Sequence, residues 1–397
     1  MSRRGSGLDA IVVGAGVVGA AAALAFARDG MRVALVEPRQ PPAWQPLPTD
    51  ADRIDLRVYA FAPDNAALLD NLGVWREVAN ARVQPYRAMR VWDAAGGGEL
   101  AFDADAFGRR ELGWIVEHAL LVDRLWNALP GAGVQLHCPD SVVGFEQDES
   151  GATVVLESGL SLRSKLVVAA DGAESKLRSL AGIEAPRHDY GQRGLVAFVE
   201  SERPHQATCW QRFLPTGPLA FLPFDAHNVS SIVWTLPEAE AQRLLEADET
   251  AFLRELDNAF AGTLGASTRV SRRAAFPLRL QLAQSLASGR IAVIGDAAHA
   301  VHPLAGQGVN LGLRDVATLR RTAADARERG IDPASRLSRW ARAQRSGNAL
   351  SAYAFDGINR LFSNDSLAAT LLRGPLLGLA GKLPPLTHAF WRHAAGQ

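Results

Sequence analysis

The chain is poor in the residues that staple small folds. It has 2 cysteines in 397 residues, Cys138 and Cys209, too far apart in sequence to suggest a disulfide framework or a cysteine metal cluster. It also lacks an excess of either charge: 42 basic residues face 42 acidic ones. That balance argues against a nucleic-acid binder working by phosphate neutralisation. No uninterrupted apolar run reaches the roughly 18 residues of a membrane-spanning helix. The N-terminal MSRRGSGLDAIVVGAGVVGA superficially resembles a signal peptide. Its glycines are in a meaningful spacing, however, and it continues as a helix without a cleavage site. These absences lead us to expect a cytoplasmic protein in a reducing compartment, with enough chain for one large or two interleaved domains.

What is present is a set of strand ends carrying glycine and carboxylate. Leu8 to Val13 reads as a buried parallel strand, followed by Gly14-Ala-Gly16-Val17-Val18-Gly19, a helix to Arg28, and a second strand from Met31 to Val36 ending at Glu37. This is the dinucleotide βαβ start. Its glycines serve the tight turn, the backbone approach to pyrophosphate and close helix–sheet packing, and the acidic residue about 20 positions on takes a ribose hydroxyl pair. Glu37 disfavours a 2′-phosphate, so FAD or NAD is expected over NADP. The proline-rich stretch from Pro38 to Pro48 excludes regular structure. Arg53 and Arg57 precede a helix from Pro63 to Leu72, and either faces a phosphate or is solvated. Arg90 to Phe102 reads as a hairpin.

A helix over Leu120 to Leu129 and strands at Gly133–His137 and Ser141–Gln147 follow. Ala152–Leu156 with Leu160–Leu162 reads as a hairpin. A further buried strand, Lys165 to Ala170, ends in Asp171-Gly172, with Ser175 and Arg178 at a helix start. Four strand-like runs between Gly194 and Trp234 predict an antiparallel sheet. Its aromatics, Phe198, Trp210, Phe213, Phe221, Phe224 and Trp234, are expected mostly in the core. A helical excursion over Glu238–Ala261 and a strand over Arg272–Leu280 lead to Arg290–Asp315. There a short strand ends at Gly295-Asp296, and Gly306, Gly308 and Gly312 lead into a helix. That reads as a carboxylate beside an anion cradle, since a helix start offers unpaired N–H groups and partial positive charge. His299 and His302 have a His-x-x-His spacing but no third ligand, so no metal site is expected.

The three motifs, at about residues 14, 171 and 295, resemble in order and spacing the group A flavoprotein monooxygenases of the para-hydroxybenzoate hydroxylase fold. His302-Pro-Leu-Ala-Gly-Gln-Gly-Val-Asn-Leu-Gly-Leu-Arg-Asp315 is similar to the pattern of the ubiquinone-biosynthesis hydroxylases. So are Trp210-Gln-Arg-Phe-Leu-Pro-Thr-Gly-Pro-Leu-Ala-Phe-Leu-Pro223 and Ile115-Val-Glu117. One departure is His118, where relatives commonly carry Asn.

The resemblance implies an α/β protein in which an FAD-binding Rossmann-like domain is interleaved with an antiparallel β-sheet substrate domain, with a helical C-terminus. The FAD-binding parts are expected at 1–80, 111–185 and 286–330, the substrate parts at 81–110 and 186–285, and the helical region at 331–397. It implies that Gly14, Gly16, Val17, Val18 and Gly19 accommodate the FAD pyrophosphate, Glu37 the adenosine ribose, and Gly295-Asp296 the ribityl chain. Pro303, Gly306, Gln307, Gly308, Val309 and Asn310 would border the isoalloxazine, with Arg57 near the flavin. Asp171-Gly172 would lie on the pyrophosphate side and toward a transiently bound NAD(P)H. The implied reaction hydroxylates a polyprenylated phenol with NAD(P)H and O2 through a C4a-hydroperoxyflavin, with no protein residue in a covalent role. Another flavin reaction on this fold (halogenation, isoprenoid reduction, or hydroxylation of a different aromatic) and a quinone-lipid-binding subunit with vestigial flavin remain the alternatives. The halogenase Trp-x-Trp-x-Ile-Pro motif is absent from the sequence. Leu367 to Leu386 is leucine-rich and broken by Gly and Pro, so it suits docking on the inner-membrane surface or a ubiquinone-synthesis complex, or packing as a terminal helix, but not spanning.

Overall fold

The computed structural model describes residues 7–46, 55–94, 98–300 and 308–345. Its organising layer is a sheet whose central strands are all parallel. Ile291–Val293, Ser161–Ala169, Leu8–Val13, Val33–Val36 and Gln135–His137 lie side by side in that order. Val13 pairs with both Ala169 and Val36, and Ala169 pairs with Val293. One row of the sheet therefore ends four strands together. The residues that follow, Gly14, Glu37, Ala170-Asp171 and Ile294-Gly295-Asp296, emerge along a single carboxyl edge, where open α/β sheets bind ligands.

The strands run as continuous apolar stretches because both faces are covered. The alanine-rich helix Val17–Arg28 packs on one face, and helices His118–Gly131 and Gly308–Glu328 pack on it in turn. Ala20 to Ala25 of that helix are fully buried, and small side chains let three helices and a sheet approach closely.

The second sheet is antiparallel apart from one join. Arg187–Ser201, Val229–Pro237, Gly217–Pro223 and Thr208–Leu214 are neighbours, Ala274–Leu282 pairs with the first of them, and Ala88–Asp93 adds in parallel to the last. One face buries Leu195, Phe221, Ile232 and Trp234 against helices Glu238–Glu246 and Glu249–Phe260. The other buries Phe198, Cys209 and Phe224 with Leu56, Tyr86 and Ile115. A small three-stranded sheet, Val58–Phe61, Gly113–Glu117 and Gln84–Tyr86, bridges the two.

The expected fold class is borne out, with several local differences. The second strand starts at Val33, two residues late: Met31 N still bonds back to Phe26 O of the first helix, and Arg32 N bonds to the Asp9 side chain. The hairpin arm at Leu160–Leu162 and the buried strand from Lys165 are one strand, Ser161–Ala169. Neither glycine nor proline separates them, and the change of partner falls at Ser164, which pairs antiparallel with Ala152 and parallel with Leu8. The excursion at 238–261 is two helices, broken where Asp248 caps the second by accepting from Ala251 N at 2.7 Å. The Arg90–Phe102 hairpin is present, with Arg90 opposite Ala101. Residues 38–46 hold no regular element; their backbone is fastened by Trp44 N donating to Asp123 and by the Arg82 guanidinium donating to Pro46 O. Helix Gly308–Glu328 is followed by a further helix over 334–345, the described part of the expected helical C-terminal region. Leu367–Leu386 lies outside the described residues.

Candidate functional site

A cavity of about 1030 Å³ opens along the carboxyl edge of the parallel sheet and extends beneath the antiparallel one. That is the upper end of the roughly 300–1,000 Å³ typical of small-molecule sites. Gly14, Gly16, Val17, Val18, Glu37, Arg57, Asp171, Gly172, Gly295, Asp296, Gly308 and Val309 all line it, so residues up to 295 positions apart converge on one space. Two expected site residues point elsewhere. Gly19 lies against Gly14, its missing Cβ leaving room for the Gly14 carbonyl. Asn310 is buried in a clamp: its Oδ1 accepts from Ala62 N at 3.0 Å and Asn65 Nδ2 at 2.9 Å, and its Nδ2 donates to Ala60 O at 2.8 Å. Pro303, Gly306, Gln307, His302 and Arg53 lie outside the described residues.

The first-motif glycines divide by purpose. Gly14 has φ of +100°, and a Cβ there would stand 2.3 Å from the Ala170 carbonyl oxygen, so the turn itself demands glycine. Gly16 has φ of −64° and ψ of 178°, open to any residue, and a Cβ there would meet no protein atom within 4 Å. No described residue accounts for glycine at this position; a ligand passing close to the backbone would. The helix Val17–Arg28 begins beside it with no side-chain cap, leaving its first N–H groups directed at the same space. These features fit a dinucleotide pyrophosphate.

The carboxylates are held in different ways. Glu37 accepts from Ala15 N at 2.7 Å, which ties the second strand end to the glycine loop. Asp171 caps the short helix Lys176–Leu180, accepting from the Ser175 hydroxyl and from Leu177 N at 3.1 Å. Asp296 sits on a one-turn 3₁₀ helix, Gly295–Ala297, and is exposed to the cavity. Protein encloses it on the other sides, and this enclosure raises its pKa, opposed by His299 and Arg57. A ligand that covers this carboxylate must supply hydrogen bonds to it.

Behind Asp296 lies a buried brace. His299 Nε2 stands 2.6 Å from Asp315 Oδ2, which also accepts from Gly295 N at 3.1 Å. Burial works against a charged His299, but the Asp315 carboxylate outweighs it and raises the imidazole above its usual value. Arg178 Nη1 donates to Ala297 O at 2.7 Å, linking the Asp171 helix to the Asp296 turn. His299 is therefore a packed ion-pair partner, and no group of three His, Cys, Asp or Glu suited to a metal occurs among the described residues.

Sequence reasoning passed over Tyr59 and gave His118 no role in a site. Both line the cavity, and Tyr59 Oη lies 2.8 Å from His118 Nδ1. Their neighbourhood carried a signal: Tyr59 stands two residues after Arg57, and both line the cavity with Val58 between them. Burial, then the Arg57 charge, lower the His118 pKa to about 4, against a smaller opposing effect of Asp55. Burial pushes the Tyr59 phenol well above its ordinary value. The pair is neutral across the physiological range, a hydrogen-bonding wall without charge.

The far wall is the face of the antiparallel sheet turned away from its helices. Val196, Ala220, Leu222, Val233 and Leu278 line it, with Gln211, Thr235 and Gln281 between them. None of the six aromatics expected mainly in the core lines the cavity, because they occupy other positions in the sheet's alternation or register.

Comparison with known proteins agrees with this geometry. A family model described as FAD binding domain matches residues 7–340. The chain is 36% identical over 394 residues to "Ubiquinone hydroxylase UbiL" of Rhodospirillum rubrum, covering 98% of this chain and 89% of that protein. It is 34% identical over 389 residues to "3-demethoxyubiquinol 3-hydroxylase" of Escherichia coli, covering 97% of each. The chain belongs to the FAD-binding-domain family of the ubiquinone hydroxylases. A solved p-nitrophenol 4-monooxygenase from Pseudomonas putida shares the fold, with a TM-score of 0.76 at 19% identity, covering 97% of this chain and 96% of that one. The description of the matched family, FAD binding domain, is compatible with a dinucleotide in this cavity. Among the described residues no helix is long and apolar enough to cross a membrane.

Proposed function

We propose that this chain is an FAD-dependent monooxygenase that hydroxylates the aromatic ring of a polyprenylated phenol in ubiquinone biosynthesis, using O2 and a transiently bound NAD(P)H. The observation that carries this reading is the continuity of one cavity from the dinucleotide glycines to an apolar sheet face. The names of the bacterial relatives, a ubiquinone hydroxylase and a 3-demethoxyubiquinol hydroxylase, support the substrate class. Bound FAD would supply O2 activation and transfer of one oxygen atom to an electron-rich ring.

The protein's part is to bind, orient and exclude water. In this reading Gly14, Gly16, Val17 and Val18 receive the pyrophosphate, Gly19 keeps the turn tight, Glu37 takes the adenosine ribose, and Asp296, on the Gly295 turn, takes the ribityl hydroxyls. Gly308 and Val309 start a 21-residue helix, and their N–H groups favour negative charge at the flavin's pyrimidine edge, a helix-end effect of roughly 0.3–2 kcal/mol. Arg57 adds positive charge near the flavin. Asp171-Gly172 borders the pyrophosphate side, where the nicotinamide cofactor would approach. Pro303, Gly306, Gln307 and Asn310 complete the flavin surround, Asn310 by holding the helix start in place. The FAD-binding part comprises 1–80, 111–185 and 286–330, the substrate part 81–110 and 186–285, and 331–397 a helical region.

Valine, alanine and leucine on the far wall would keep water out of the substrate side of the cavity when it is occupied. Burial of an isoprenoid tail at about 25 cal/mol per Å² adds affinity. A lipid-soluble substrate also favours a cytoplasmic enzyme working at the inner-membrane surface, alone or within a ubiquinone-synthesis complex. The test is NAD(P)H oxidation by the purified, FAD-reconstituted chain. Oxidation stimulated by a prenylated phenol, with matching yield of hydroxylated product, is the expected result. Failure to retain FAD, or oxidation indifferent to the phenol, would overturn the proposal.

A further inference from the structure

The register of the antiparallel sheet sorts the far wall into rows. Gln211, Ala220, Val233 and Val196 lie side by side across four strands. The adjacent row contains Thr235, Gly194 and Phe276. In the first row Gln211 is the single polar residue, and in the second Thr235 is.

Neither side chain has a hydrogen-bond partner among the described residues. The third polar residue of this wall differs: Gln281 Nε2 is engaged by Ala173 O at 3.0 Å. Thr235 is only 1% exposed, and its methyl group and Cβ crowd Gly217, which has φ of +137° and no room for a side chain. Its position is thus set by packing. An amide and a hydroxyl without partners in an apolar wall are penalised when an apolar ligand covers them and rewarded when a ligand oxygen meets them. Apolar residues would have served a purely hydrocarbon ligand better at both positions.

We propose that Gln211 and Thr235 determine substrate specificity by hydrogen-bonding oxygen substituents on the substrate's aromatic ring, while Val196, Ala220, Leu222 and Val233 cover its apolar surfaces. The two residues stand two strands apart, about 10 Å across the sheet, so each meets a separate part of the ligand. This assignment rests on the reading of the cavity as an aromatic substrate site.

The test uses the FAD-loaded protein and two probes, a short-chain prenylated phenol and the matching alkylarene without the hydroxyl. Their dissociation constants are read from the perturbation of flavin absorbance, and FAD affinity is measured separately. The wild-type protein should prefer the phenol by tenfold or more. At least one of Gln211→Met and Thr235→Val, both close in volume to the native residue, should cut that preference about tenfold. Affinity for the alkylarene should stay within about twofold, and FAD affinity should not change. Thr235→Ser, which keeps the hydroxyl, should retain the preference if Thr235→Val loses it. Undiminished preference in both substitutions, or equal weakening of both probes, would overturn the proposal. Should one variant not fold, the other decides. If the FAD-loaded wild type binds neither probe, the reading of the cavity as a substrate site fails, and this assignment fails with it.

Discussion

Tyr59 Oη and His118 Nδ1 stand 2.8 Å apart across the junction between strand Val58–Phe61 and helix His118–Gly131. The neutral state of this pair has a thermodynamic consequence. His118 titrates at about 4 in the folded chain, against an ordinary value of 6.5. Between those values the unfolded chain binds the extra proton and the folded one does not. The stabilisation is therefore complete above pH 6.5 and is lost as pH falls toward 4. A shift of this size corresponds to an effect on the order of 3 kcal/mol. Replacing His118 with Asn, which keeps a polar side chain, removes the titrating group. Urea unfolding at pH 4.5 and 7.5 should show a shallower acid loss in His118→Asn than in wild type. Identical pH slopes would rule the effect out.

Asp296 should matter to cofactor retention more than to folding. It is exposed to the cavity, whereas the packing of its turn rests on Gly295 N, Asp315 and the Arg178–Ala297 contact. A hydrogen bond to a charged group is worth about 1.5–3 kcal/mol. Asp296→Ala should therefore weaken FAD binding by roughly 10- to 100-fold while leaving the apoprotein's unfolding midpoint nearly unchanged. Flavin occupancy after gel filtration, with thermal unfolding of the apoprotein, checks both halves. Full occupancy in the variant would count against the ribityl assignment.

Much of this site was legible because its chemistry sits at strand ends. Short apolar runs closing on Gly14, Glu37, Asp171 and Asp296 state both a parallel strand and a ligand edge, and parallel pairing brings those ends together. Gln211 and Thr235 carried no such mark: their meaning depends on which face of the antiparallel sheet meets the cavity, and that follows from register. His299 shows the opposite limit. Its spacing to His302 raised the question of a metal, while its actual partner, Asp315, lies 16 residues on, where only the return of helix Gly308–Glu328 brings the two together. The family resemblance implied Asn310 at the border of the flavin; helix geometry turns it roughly 100° from Val309, and its side chain bonds into the Ala60–Asn65 turn.

That placement makes Asn310 a structural residue with a functional consequence. Asn310→Ala would leave Ala60 O and Ala62 N buried without this partner. Each such orphan costs about 1–3 kcal/mol. The variant should lose about 2–4 kcal/mol of stability by urea titration, and FAD affinity should fall as well because the helix start at Gly308 loses its anchor. Unchanged stability would show that the clamp contributes nothing net.

The two glycines Gly14 and Gly16 allow folding and binding to be separated within one loop. A methyl group at Gly14 meets the Ala170 carbonyl at 2.3 Å in a left-handed backbone. Gly14→Ala should destabilise the apoprotein, with loss of soluble yield or a drop of several degrees in Tm. A methyl group at Gly16 meets no atom of the described residues within 4 Å, and the backbone there is extended. Gly16→Ala should leave apoprotein stability within about 0.5 kcal/mol, as substitutions away from packed or strained positions do. Its effect should appear only with the cofactor, as at least a tenfold rise in the FAD dissociation constant measured by fluorescence quenching. The divergence is the diagnostic: if Gly16→Ala binds FAD as wild type does, the dinucleotide does not pass over this backbone, and the glycine has no ligand-based reason to be there.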